Sequence, residues 1–446
     1  MMSKRVLTAK STRVVPLVAA WAVALLVVPA SADLLAYVRK PEPAFAWELK
    51  GKVVHPEGTV YDLHLVSQVW QGIQWEHQLQ VYQPKGTAPT ATMLLMNTGG
   101  SAGEDDIAFG MQLASAIQAP CAVLYHIPNQ PLLDGKSEDT LITETFVRYL
   151  NTKDENWPLL FPMAKSVVKA MDALQAFSEQ EWKTPVTGFI VTGGSKRGWT
   201  SWLSAVADSR VKAIAPLVID TLNMREQMPH QLESFGTYSE QIADYTERGL
   251  VPMRNTPDEN RLWSMVDPYT YRDRLTLPKL LVNGNNDPYW AVDALNLYWD
   301  GLKGRKWVLY VPNAGHGLEQ HYKDGSRDRK RALSGLAAFV RHQIAGKPMP
   351  TLRWRHDDAD GKLRITVHGT PSPLGARLWV AKSPTRDFRQ ARWVEQPAEI
   401  NDGTVTGQVA PPEDGYLAFY ADVDYKIDEL PYHLSTQIRV VGSGGK

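Results

Sequence analysis

The residues in this chain best suited to chemistry are a serine, an acid and a histidine, each placed just after a short apolar run. In Phe189-Ile190-Val191-Thr192-Gly193-Gly194-Ser195-Lys196-Arg197-Gly198-Trp199, an apolar strand runs into Gly-Gly-Ser. Trp202, Leu203 and Val206 then continue at helical spacing. A serine at the apex of a strand, sharp turn and helix presents its hydroxyl, and its neighbours must be small for the helix to pass the strand. The common form of this turn has glycine two residues after the serine. Here Arg197 stands at that position and glycine comes one later, at Gly198. A helix N-cap and a glycine-rich anion site at a helix start fit the same local pattern.

Order along the chain favours the nucleophile. Acyl-transfer sites on an α/β sheet of this kind place the nucleophile first, then an acid, then a histidine. Leu280-Leu281-Val282 leads into Asn283-Gly284-Asn285-Asn286-Asp287, and Trp307–Val311 leads into Pro312-Asn313-Ala314-Gly315-His316-Gly317. A neutral imidazole can take the serine proton, and a carboxylate can fix its tautomer and stabilise the cation. Taken singly, Asp287 reads as a turn-former and His316 as a loop residue. Taken together, the expectation is Ser195 as nucleophile, His316 as base and Asp287 as the orienting acid. Asp220, at the end of Val218-Ile219-Asp220, is the alternative acid, or a cap for the segment after it.

An oxyanion needs backbone N–H donors. The Lys196 amide directly follows the serine, and Gly99 and Gly100 in Asn97-Thr98-Gly99-Gly100-Ser101 are placed to supply another; the alternative is a plain glycine-rich turn. Helix starts disfavour cations, so the side chains of Lys196 and Arg197 need an explanation. They suit an anionic substrate, point into solvent, or pair with acids of the Pro128–Leu160 segment. His126 in Tyr125-His126-Ile127-Pro128 is a further pocket candidate. Six of the fifteen tryptophans (Trp157, Trp199, Trp202, Trp263, Trp290 and Trp299) fall near the same edge or its insertions, to stack on flat apolar faces or pack under long loops. The one cysteine, Cys121, closes no internal disulfide, and no Cys/His cluster has zinc spacing, so no metal or organic cofactor is expected.

The elements that must position these residues can be read from periodicity. Trp47–Val54 and Val60–Val69 form a hairpin across His55-Pro56-Glu57-Gly58, and Trp75–Tyr82 alternates as a third strand. Apolar runs follow at Thr92–Met96, Cys121–Ile127, Phe189–Thr192, Ile214–Ile219, Lys279–Val282 and Trp307–Val311. Helical patterns lie between and after them, clearest at Pro162–Phe177 and Arg331–Gln343. Such alternation means crossover connections and a mostly parallel sheet covered on both faces. The expected fold is therefore an α/β-hydrolase-like sheet over residues 33–349. Two connections, Pro128–Leu160 and Thr221–Leu277, are too long for simple loops and start where such sheets bind ligands. The second, about 221–277, is expected to be a helical lid. After Gly346-Lys347-Pro348, short alternating runs between Gly, Pro and Asp turns predict a C-terminal antiparallel β-sandwich over 350–446.

The chain starts with Lys4, Arg5, Lys10 and Arg13 and no acid, then runs apolar from Val14 to Pro29 and ends in Ala30-Ser31-Ala32. Residues 1–32 read as a secretory signal peptide; an uncleaved anchor is the rival reading, since nineteen residues can just span a bilayer. Cleavage predicts export to periplasm or medium with no stable membrane span. The full chain carries 48 basic and 48 acidic residues, and losing the four leader cations leaves 44 against 48. That mild acidity excludes a nucleic-acid protein held by bulk positive charge. The expected partner is a small-molecule ester or a peptide.

Several stretches together resemble the PhoPQ-activated pathogenicity-related protein family, which is also related to secreted autocrine proliferation repressors of amoebae. They are His126-Ile127-Pro128-Asn129-Gln130-Pro131-Leu132, Glu138-Asp139, Pro162-Met163, Met171-Asp172, Gly193–Trp199, Ala215-Pro216 with Asp220, and Asn283–Asp287. Pro312-Asn313, Gly315-His316, Trp379-Val380-Ala381 and Arg386-Asp387-Phe388-Arg389 complete the set. The resemblance implies an α/β-hydrolase-type fold, induction by the PhoP/PhoQ system, and a role in virulence or cationic-peptide resistance. The turn Gly193-Gly194-Ser195-Lys196-Arg197-Gly198 is also similar to the elbow of glucuronoyl esterases, in which a basic residue after the nucleophile helps hold the oxyanion and faces an acidic sugar ester. That similarity implies carbohydrate or uronate esters. The resulting expectation is an exported serine hydrolase, an esterase. A peptidase acting on cationic peptides and a non-catalytic secreted binding or signalling protein are the alternatives.

Overall fold

The computed structural model describes residues 33–443; the predicted leader, 1–32, lies outside them. Strands β1 (Ala46–His55), β2 (Gly58–Trp70) and β3 (Ile73–Pro84) form an antiparallel meander, and the first hairpin closes at the pair His55–Gly58 as the turn residues predict. Six further strands follow: β4 (Thr92–Asn97), β5 (Cys121–Leu124), β6 (Gly188–Gly194), β7 (Val211–Leu217), β8 (Lys279–Gly284) and β9 (Lys306–Val311). Their order is β3-β5-β4-β6-β7-β8-β9, antiparallel at β3/β5 and parallel from there on. These parallel strands are buried almost without interruption, so they read as continuous apolar runs instead of alternating ones. This is the α/β-hydrolase-like sheet that the sequence implies.

Helices cover both faces. The first five are α1 (Leu34–Arg39), α2 (Glu104–Ile117), α3 (Glu138–Thr152), α4 (Leu160–Phe177) and α5 (Lys196–Ala207). The long segment between β7 and β8 holds α6 (Met224–Phe235), α7 (Ala243–Glu247) and α8 (Pro257–Val266), and α9 (Lys330–Ile344) follows β9. Helices α4 and α5 fill one side of the sheet, while α2 and α9 fill the other. Helix α4 is apolar nearly all round because it is covered on nearly every side. The predicted strand Cys121–Ile127 ends early, at Leu124: the backbone turns into positive φ at His126, and the chain leaves the sheet before Pro128.

A two-residue hairpin, β10 (Gln320–His321) with β11 (Arg327–Asp328), precedes α9. Nine strands complete the described residues: β12 (Thr351–Ala359), β13 (Lys362–Thr370), β14 (Gly375–Ser383), β15 (Val394–Pro397), β16 (Glu399–Asn401), β17 (Thr404–Val409), β18 (Tyr416–Ile427), β19 (Leu430–Ser435) and β20 (Arg439–Gly442). They make two antiparallel layers, β12-β13-β17-β16 and β19-β18-β14-β15, with β20 on β18. The second layer is continuous with the central sheet, because β19 pairs with β9 at Ser435–Val308. Strand β9 would otherwise present an unpaired edge. A buried ion pair between Arg331 at the start of α9 and Asp422 on β18, 2.5 Å, ties the same junction. Three strands here, β15, β16 and β19, are too short or too weakly alternating to be read from the sequence.

Candidate active site

The geometry starts with the turn after β6. Ser195 sits at φ 57° and ψ −127°, between the strand and α5. A non-glycine residue pays for such a conformation and keeps it only where the surroundings impose it. Here the Ser195 amide donates to Leu217 O on β7 at 2.9 Å. A Cβ on Gly193 would come within 2.8 Å of Arg197 O, and one on Gly198 within 2.9 Å of Gly193 O and 3.0 Å of Leu217 O. Gly198 therefore supplies the close helix–strand approach that the displaced glycine put in question.

The position two after the serine, left to Arg197, has a different task. Its Nε donates to Ile127 O at 2.5 Å, and its two Nη atoms grip both Glu138 oxygens at 2.7 Å. Lys196 Nζ lies 2.8 Å from Glu138 Oε2 and 3.0 Å from Asp139 Oδ2. Both cations are buried. Burial would lower the Lys196 ammonium, but Asp139 and Glu138 outweigh it and hold it above its ordinary range. Burial would raise Glu138, but Arg197 and Lys196 outweigh it and hold the carboxyl well below the usual carboxylate range. Of the three readings for these two cations, the one realised is pairing with acids of the Pro128–Leu160 segment. Both charges are already met by carboxylates.

Asp287 and His316 come together at the ends of β8 and β9. His316 Nδ1 lies 2.8 Å from Asp287 Oδ2, and the Tyr289 amide donates to Oδ1 at 2.9 Å. The two loops approach closely because residue 284 is glycine: a Cβ there would lie 2.5 Å from both Ala314 O and Gly315 O. The Asn286 amide donates to Ala314 O at 2.9 Å across the same gap. The Tyr289 ring lies against the imidazole, with centroids 4.3 Å apart. Asp220, the alternative acid, is instead the acceptor for Tyr298 Oη. Burial, with the nearby charge of Asp287, pushes its carboxyl up to about 7 against the pull of the Tyr298 bond.

Ser195 opens onto a cavity with about 560 Å³ of empty space, its mouth included. The insertion between β7 and β8 supplies Met224, Met228, Ile242, Val251, Met253 and Trp263 to its wall. Trp199, Ile219, Tyr289 and Trp290 line the sheet side, and Asp139 and Lys196 one edge. Three of the six singled-out tryptophans thus face this space. Trp157 packs edge-on against Trp70, Trp299 lies beside Trp354, and Trp202 is fully buried in the core. Among the described residues no hydrogen bond joins Ser195 to His316, whose imidazole partner is Asp287.

One other expectation is corrected. His126 does not wall the Ser195 cavity. Its backbone, at φ 59°, turns it into a separate surface hollow with Lys50, His64 and Glu76. Gly99 has a second reason to lack a side chain, since a Cβ there would collide with the Arg197 guanidinium; the Gly100 carbonyl accepts from the His126 amide at 3.1 Å. Among the described residues one group, Asp422, Asp424 and His433, brings metal-competent atoms within 4.8 Å of one another. Arg331 and Arg377 already pair with those carboxylates.

Sequence reasoning passed over Asn286 and Asn313. Asn286 Nδ2 donates to Ala391 O at 2.7 Å and Phe388 O at 3.1 Å. Asn313 exchanges two bonds with the Trp393 backbone, at 3.0 and 2.8 Å. The C-terminal segment 388–393 thereby clamps both loops of the Asp287–His316 pair. The signal was available: two asparagines flank the two polar residues of interest in glycine-rich turns.

The model of the PhoPQ-activated pathogenicity-related protein family matches residues 34–389, which runs past β14 to the edge of that clamp. The autocrine proliferation repressor protein A of Dictyostelium discoideum is 31% identical over 452 residues, spanning 91% of this chain and 89% of its own. Among solved structures, acetyl xylan esterase 1 of Thermoanaerobacterium sp. aligns with a TM-score of 0.46 at 15% identity, over 64% of this chain and 86% of its own. A glucuronoyl esterase of Solibacter usitatus aligns with a TM-score of 0.38 at 12% identity, over 60% and 82%. Among the described residues no helix is long and apolar enough to cross a membrane. The chain belongs to the PhoPQ-activated pathogenicity-related protein family.

Proposed function

We propose that this protein is an exported serine hydrolase, an esterase, with Ser195 as nucleophile, His316 as general base and acid, and Asp287 as the carboxylate that orients the imidazole. The observation that carries this reading is a strained serine elbow opening on the cavity whose wall residue Tyr289 lies against an aspartate-held histidine. With Nδ1–H donated to Asp287, the His316 Nε2 lone pair is free to accept a proton. Ser195 Oγ bonds to the acyl carbon while its proton passes to Nε2. Collapse of the adduct breaks the bond to the alcohol oxygen, which takes that proton from His316. Water then attacks the acyl-serine, its proton going to Nε2 and its hydroxyl to the acyl carbon, and the serine oxygen leaves and recovers the proton. The Lys196 amide, first in α5 and without an intrahelical partner, and the Gly99–Gly100 loop supply the oxyanion donors. The serine–histidine hydrogen bond of such sites commonly tightens only when substrate is bound.

The family name and the apolar leader support export under PhoP/PhoQ control. The test is labelling of the secreted protein with a fluorophosphonate probe. Labelling of the native chain and its loss in Ser195→Ala is the expected result, with strong losses in His316→Ala and Asp287→Asn. A folded native protein that takes up no probe overturns the reading in favour of a non-catalytic binding protein. Cleavage of an amphipathic cationic peptide without cleavage of short acyl esters makes it a peptidase instead.

A further inference from the structure

Resting on that reading, we infer that the cavity beside Ser195 is an acyl-binding pocket that selects an uncharged, apolar acyl group, while the alcohol half of the ester leaves past His316 with little selection. The two halves of the substrate can be assigned from geometry. The acid–base group must reach the leaving oxygen, so the alcohol lies on the His316 side. The walls of the cavity include Ser195 but not His316. His316 keeps 26% of its side chain exposed, whereas Met224, Met228, Ile242, Val251 and Trp263 on the cavity wall are buried and Met253 is half-buried. The pocket beside the serine therefore holds what stays bonded to it, and the His316 side holds what departs.

The chemistry of the wall determines which acyl group fits. Thioether, branched aliphatic and aromatic side chains make up most of it, and methionines adapt to irregular apolar shapes. Two ionised side chains touch the space, Lys196 and Asp139, and they pair with each other at 3.0 Å. The Tyr245 hydroxyl also donates to Asp139, at 3.2 Å. An anionic acyl group, such as a succinyl or uronyl, would have to take Lys196 from Asp139 and Glu138. A cationic one would have to take Asp139 from Lys196. Either leaves a buried charge unpaired, which is costly; an apolar chain disturbs nothing and gains from burial.

The inference is tested on the full mature chain in two ways. The first is the rate of Ser195 labelling by methyl- and hexyl-phosphonofluoridates. The second is hydrolysis of 4-nitrophenyl acetate, hexanoate, phenylpropanoate and hemisuccinate, beside methyl and glyceryl hexanoates. Expected are at least about tenfold faster labelling by the hexyl probe and a similar preference for hexanoate over acetate. Hemisuccinate should react more slowly than acetate, and the methyl and glyceryl esters within about fivefold of each other. Phenylpropanoate against hexanoate reports whether the walls prefer a ring or a chain. Met253→Trp, at a half-buried position of the cavity wall, should cut the hexyl-to-methyl labelling ratio at least about fivefold. Met228→Ala should shift the preference toward longer chains. A Ser195 that labels equally with both probes, or that prefers the hemisuccinate, overturns the inference and leaves the serine hydrolase intact. A Ser195 that labels with neither overturns both.

Discussion

Two structures flank the cavity edge of the sheet, and they are held by opposite means. The serine elbow is held by charge: Arg197 and Lys196, both buried, are clamped by Glu138 and Asp139 from the segment after β5. The Asp287–His316 loops are held by neutral amides, with Asn286 and Asn313 bonding the backbone of residues 388–393 from the C-terminal strands. The reason for the difference lies in the disturbance each side must avoid. A further charge beside the imidazole would compete with Asp287 for it, so neutral clamps suit that side. Beside the serine, a closed ion cluster can pin the insertion after β5 to one turn and still present almost no net charge to the cavity. Buried ion pairs are weak as sources of stability but severe when broken, which makes the elbow the more brittle of the two.

That contrast can be broken by substitution, beginning with the largest effect. Gly198→Val drives methyl groups into Leu217 O and Gly193 O and should destabilise by about 3 kcal/mol or more, read as loss of soluble protein or of the thermal transition. Glu138→Ala leaves Arg197 and Lys196 short of their partner. Because Glu138 is 44% exposed and Asp139 remains for Lys196, about 2 kcal/mol is expected, below the full cost of a broken buried pair. Asn286→Ala removes one neutral clamp and should cost about 1–2 kcal/mol in chemical denaturation, with slower probe labelling of Ser195. A larger loss for Asn286→Ala than for Glu138→Ala would reverse the ranking of the two regions.

The smallest effect concerns Asp220. Its carboxyl is pushed up to about 7 in the fold by burial, while the unfolded chain releases that proton near pH 4. Between those values the folded state holds a proton that the unfolded state lacks, so Asp220 lowers stability as pH rises from about 4 to 7 and adds no further slope above it. Asp220→Asn keeps a neutral group at the site and should flatten the denaturation midpoint across that window. An unchanged pH profile would show that Asp220 titrates normally despite its burial. Since His316 pairs with Asp287, the same variant should keep most of its probe labelling.

Much of this arrangement was legible in the chain. The parallel strands are short apolar runs because both their faces are covered, and that signal survives without any knowledge of neighbours. Ser195, Asp287 and His316 each follow such a run, so order and residue type suffice to nominate them. Three things were not legible. The side chain of Arg197 keeps three readings open until Glu138, fifty-nine positions away, is placed against it. His126 reads as an edge residue until its positive φ turns it aside. The C-terminal module reads as a separate sandwich until β19 meets β9 at a single pair.

The sequence by itself determined the strand–helix alternation, the glycines at 193 and 198 that let α5 cross the sheet, and the chain order of Ser195, Asp287 and His316. These are local, set by steric fit and by apolar period over a few residues. Which carboxylate meets the imidazole, which acids quench the cations beside the serine, and which side chains line the cavity were decided only by tertiary structure. Each depends on side chains brought within about 3 Å from segments tens of residues apart, and no pattern of spacing encodes a contact of that range.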